Sequence, residues 1–116
     1  MDRKEIAYNM AQRARVFFAI LDRSILKPCE GTGSITIEAN NFVNIIMSEL
    51  REMKQRAIAE ALDVSEPFIG ICECFSLSKA LSCSSEPDCF IDLGNVLLRE
   101  LKALELRLYE EAVIEQ

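Results

Sequence analysis

The chain has 116 residues, of which 50% are hydrophobic, with no histidine and a formal net charge of −6. This is enough apolar material for a folded core, so a disordered tail is excluded, and the missing imidazole removes the commonest general base and any mixed Cys/His zinc site. The charge is uneven: residues 1–56 carry nine Lys/Arg and seven Asp/Glu, residues 57–116 four and twelve, which disfavours nucleic acid as a partner of the second half.

The longest apolar run near the start, "VFFAIL", is too short for a signal core or a membrane span, and the expectation is a soluble, cytoplasmic protein. From Asp2 to Lys27, Ile6, Met10, Phe17 and Leu21 recur at helical spacing beside a row of Ala7, Ala11, Ala14 and Phe18. The spacing predicts a first helix with a wide apolar face. It is expected to stop at "KPCEGTGS", where Pro28, Gly31 and Gly33 break it and Ser34 or Thr36 can cap the next helix.

In the second helix Ala39, Val43, Ile46, Leu50, Met53 and Ala57 alternate spacings of four and three, the pattern that packs helices at shallow angles. "LDVSEP" ends it, and Ser65 with Pro67 suits the cap and first turn of a shorter third helix running to Leu81. After "SCSSEPD" a fourth helix starts near Cys89, with Leu93, Leu97, Leu101, Leu104 and Leu108 on one stripe flanked by Leu98 and Leu106. "SITIE" is the one short strand candidate. The fold expected is all-α: a single helical domain over residues 1–116, an antiparallel four-helix bundle with three long helices and one shorter.

Residues 55–72, beginning "QRAIAEALDVSEPFIG", have the outline of two helices joined by a turn. This stretch resembles the helix-turn-helix of DNA-binding regulators, with Ile58 and Ala59 inside the first helix, Leu62 closing it, and Val64 and Ile69 holding the second. Asp63 stands where that motif most often has glycine. With Ile69 and Cys72 inward, the outward face of the reading helix would present Glu66, Gly70, Glu73 and Cys74. No Lys or Arg lies between Arg56 and Lys79 to meet phosphates or base edges, whereas Glu60, Asp63, Glu66 and Glu73 fill the interval.

Glu49 and Glu52 share a helix face three residues apart, and Asp92 and Asn95 repeat the spacing on the fourth helix. The pairs resemble the acidic motifs of the all-α nucleotide pyrophosphohydrolases, which implies magnesium held by Glu49, Glu52 and Asp92 for attack of water on a pyrophosphate. Here the fourth carboxylate is the neutral Asn95. The plainer reading makes Glu49 and Glu52 a solvated face beside Arg51 and Lys54.

Cys72 and Cys74 diverge by about 200° on a helix, and their spacing to Cys83 and Cys89 matches no zinc or iron–sulfur motif. Buried, inert free thiols are expected, with Cys89 or Cys29 in loops open to oxidation. "EGTGS" lacks the lysine and preceding strand of a phosphate loop and reads as an interhelix connection. No catalytic set is complete and no cofactor is implied. The role expected is helix-on-helix association, as a homo-oligomer or with another helical protein, through apolar surface of the second or fourth helix. A DNA-binding regulator stands second, and a magnesium-dependent nucleotide hydrolase third.

Overall fold

A computed structural model describes residues 2–60, 62 and 65–113, and the side chains of all of these except 65–68. Helix α1 (Arg3–Ile20) starts where the Asp2 carboxylate accepts a hydrogen bond from the Glu5 N–H at 2.9 Å, satisfying one of the first turn's free amides. Its inward row follows the predicted spacing: Ile6, Ala7, Met10, Ala11, Ala14 and Phe17 are buried, with Phe18 at the rim.

The helix does not stop at Lys27. It passes through a π-helical turn (Leu21–Leu26) into α2 (Lys27–Thr32). Pro28 has no N–H, and its ring crowds the carbonyl four residues back. Widening the preceding turn, so that the Lys27 N–H donates to the Asp22 carbonyl, carries the chain past that obstacle. Gly33, at φ 66°, supplies the left-handed residue that ends the helix, and its N–H donates to the Cys29 carbonyl at 2.8 Å.

Helix α3 (Ile37–Ala59) is capped by Thr36, whose hydroxyl accepts from the Ala39 N–H at 3.0 Å. The six residues of its predicted stripe, Ala39 through Ala57, are all buried. "SITIE" therefore enters this helix, and no strand occurs among the described residues. Helix α4 (Ser65–Ser82) turns Ile71, Cys74, Ser78 and Leu81 inward. Val64 and the side chains of Ser65 and Pro67 lie outside the described residues. Helix α5 (Pro87–Val113) begins slightly before the expected Cys89.

The continuous rod of α1 and α2 and the helices α3, α4 and α5 run antiparallel in turn. Arg13 reaches Glu49 at 3.4 Å and Phe17 meets Phe42 edge-on between α1 and α3, while the Arg51 guanidinium lies 5.1 Å above the Phe75 ring between α3 and α4. On the far side, α5 returns along α1, with Arg3 3.5 Å from the buried Glu111 and the Tyr109 hydroxyl accepting from Gln12 at 2.7 Å. The result is an up-down-up-down all-α bundle measuring 49 × 20 × 20 Å. No described helix is long and apolar enough to cross a membrane.

The leucine stripe of α5 is spent inside this bundle. Leu97, Leu101, Leu104 and Leu108 are fully buried against α1 and α4, Leu98 nearly so, and Leu93 partly, leaving Leu106 as the exposed leucine of the group. Packing within the chain thus takes up the surface that the stripe would have offered for association.

Gly94 allows α5 to sit against the π-helical turn. A Cβ there would stand 3.1 Å from Cγ of the buried Leu26 and closer still to its methyls. Gly94→Ala should therefore destabilise by about 1 kcal/mol net, since overpacking costs ~1–3 kcal/mol and the gain in helix propensity is only about 1 kcal/mol. Gly70→Ala, with nothing within 4 Å of the new Cβ, should stabilise by up to about 1 kcal/mol. Urea denaturation of both variants reads the two signs.

Candidate functional site

The structure does not gather the carboxylates that the sequence singles out. Glu49 accepts from Arg13 of α1, Glu52 is exposed beside Arg13 and Arg56 in a groove between α1 and α3, and Asp92 is exposed on α5. Asp92 and Asn95 point outward because the inward positions of that stretch are Phe90, Gly94 and Leu97. Among the described residues, no group of three His, Cys, Asp or Glu could hold a metal ion.

The stretch resembling a helix-turn-helix forms part of a bundle hairpin. Arg51, about two turns before the end of α3, stacks on Phe75, nearly three turns into α4, so the two helices lie side by side. Ile58 and Ile69, expected to pack between them, are 55% and 56% exposed, and Ala59 is exposed as well. Leu62 is buried as expected. Asp63, Val64 and the Glu66 side chain lie outside the described residues. Of the four residues expected outward on α4, Gly70 and Glu73 face out, but Cys74 is fully buried. The inward row passes through Ile71 rather than Ile69, and two residues on a helix are a rotation of about 200°.

Cys72 is half-buried at the surface of α4, so it and Cys74 do diverge. The Cys74 thiol is pushed up to about 12 by burial and by the charges of Glu100 and Glu73. It is no nucleophile at neutral pH. Cys29 is buried in α2, not in a loop, and burial with the nearby Glu30 and Asp88 pushes its thiol up too. Cys83 and Cys89 are exposed around the α4–α5 turn. In "EGTGS" the residues up to Thr32 are helical, and the Thr32 hydroxyl donates to the Pro28 carbonyl at 3.0 Å. Gly33 spends its N–H on the helix end, leaving it unavailable to a phosphate.

What the sequence alone does not reveal is a carboxyl pair across α4 and α5. Glu73 and Glu100 both line the place where two shallow hollows meet. One, of 210 Å³, is lined by Ile69, Gly70, Ala103 and Arg107; the other, of 400 Å³, by Cys72, Ser76, Leu77 and Val96. Burial first, then the hydrogen bond and charge of Glu73, raise the Glu100 pKa, against a smaller lowering by Arg99. A pair of this kind can hold one proton between two carboxyls. The spacing of neither residue signals the contact, since it depends on the register of α4 against α5.

Folding raises the Glu100 pKa, so the folded state holds the proton more tightly than the unfolded chain, and stability falls as pH rises above the ordinary 4.5. Glu100→Gln should melt higher than the unmodified chain at pH 7, and the difference should shrink as pH falls towards 4.5 and be absent below it, read by thermal melts across that range. A chromogenic disulfide reagent should modify Cys83 and Cys89 fastest, and Cys29 and Cys74 only on unfolding. Comparison with known proteins assigns no family: no family model, curated protein or solved structure matches the chain.

Proposed function

We propose that this chain carries out no chemistry of its own and works by helix-on-helix association, as a homo-oligomer or as a small subunit of a larger helical assembly. The observation that carries this reading is the outer face of α3. Ile37, Ile45 and Ile58 are 77%, 53% and 55% exposed there, and the residues between them include Asn41, Asn44, Ser48 and Gln55, all exposed and uncharged. Surfaces that bury against a partner are poor in charge at their centre and rimmed by it; here Glu38, Arg51 and Arg56 lie on the flanks of the face and Glu52 is a charge on the face itself. The reading is also consistent with the lack of histidine in the sequence and the separation of Glu49, Glu52 and Asp92.

With the α5 stripe buried, α3 is the helix of choice for a contact. Light scattering behind a sizing column should give a mass that rises with concentration from the 13.1 kDa of one chain towards twice that value. Ile45→Lys should leave the melting temperature nearly unchanged, because the side chain is exposed, and move the rise in mass to about tenfold higher concentration. A constant monomer mass into the high micromolar range would rule out the homo-oligomer.

A further inference from the structure

We propose that α3 pairs antiparallel with the α3 of a second copy, about a two-fold axis at Ser48; this rests on the self-association reading above. Along the outer face, Ile37, Asn41 and Asn44 precede Ser48 by eleven, seven and four residues, and Glu52, Gln55 and Ala59 follow it by four, seven and eleven. All are exposed, and the spacing reads the same from either end. A two-fold contact places each residue against its mirror position.

The chemistry of the mirror positions matches. Asn41 faces Gln55, and each amide can both donate and accept. Asn44 can donate to the Glu52 carboxylate. Ile37 meets Ala59 and the neighbouring Ile58, so the uncovered apolar side chains at the two ends of α3 cover one another. Ser48, at the axis, is small enough to let the two backbones approach closely.

Charge selects the direction of the pairing. Glu38 and Arg56 lie on the same flank of the stripe, ten residues before and eight residues after Ser48, so an antiparallel partner brings opposite charges together at both ends of the contact. A parallel pair would instead place the Glu38–Arg56 flank of one copy on the opposite side of the contact from that of the other, so the two charges would not meet. The ion pair that Arg56 makes with Glu60, 3.6 Å apart and exposed, is of the kind worth little at a surface, so Arg56 is free to turn towards the partner. At 23 residues, or about 34 Å of helix, the contact stays near the small end of specific interfaces and gives a reversible pair.

Sedimentation of the unmodified chain, of Glu38→Arg, of Arg56→Glu and of the two variants mixed in equal amounts tests the arrangement. Each variant alone places like charges opposite one another twice and should weaken the pair by about tenfold or more. The mixture should recover the pair, because one copy of each variant brings opposite charges together at both flanks. Ser48→Arg, at an exposed site, should abolish the pair while leaving the helical circular dichroism intact. An unmodified chain that stays monomeric overturns the self-association reading itself. A dimer that is indifferent to these changes, or a mixture that does not recover, overturns the antiparallel α3 register and leaves self-association standing.

Discussion

Burial of the α5 apolar face between α1 and α4 is the interaction from which the rest of the bundle follows. Phe90, Leu97, Leu101, Leu104 and Leu108 are all essentially inaccessible, and each such side chain contributes about 1.5–3 kcal/mol relative to exposure. Around that axis the polar contacts fall into place: Arg3 with Glu111, Lys102 with Glu105 at 3.0 Å, and the edge-on pair of Tyr8 and Tyr109. Buried carboxylates such as Glu105 and Glu111 are tolerable only because a cation stands beside them. Gly94 and the π-helical turn serve the same contact, since they let the long first helix and α5 meet along their full lengths despite Pro28.

The position of α3 is a consequence. It packs closely on α4, but its link to α1 runs through long side chains, Arg13 to Glu49 and Phe17 to Phe42, with a groove of 430 Å³ between the helices near Met10 and Met53. On its outer face Ile37, Asn41, Asn44, Ile45 and Ser48 are exposed. The apolar side chains on the far side of α3 thus stay in water while the more strongly apolar α5 is covered.

Much of this was legible in the residue order, and the exceptions have physical causes. The α3 stripe from Ala39 to Ala57 was readable because one face is apolar and the other is polar, so the period has a single phase. The existence of α5 was equally clear, but not the use of its leucines: periodicity says that a face is buried, not whether its own chain or another buries it. In α4 the residues Ile69, Ile71, Cys72, Cys74, Phe75 and Leu77 are spread around the helix, so the period has no single phase, and the expected inward side of Ile69 and Cys72 differs from the buried row through Ile71 and Cys74. The turn at Pro28 looked like a stop because a π-helical turn has no marker of its own. Glu73 and Glu100 were each visible, yet 27 residues apart their meeting depends on tertiary register alone.

The self-association proposed above rests on Ile37, Ile45 and Ile58, exposed on the outer face of α3. Backbone and methyl NMR spectra followed on dilution measure that claim most directly, since they locate any association residue by residue. The shifts that change should cluster at Ile37, Asn41, Asn44, Ile45, Ser48, Gln55 and Ile58, with the core leucines of α5 unmoved. Spectra that do not change with concentration, or changes centred on α5 and the Glu73–Glu100 hollows, would contradict it.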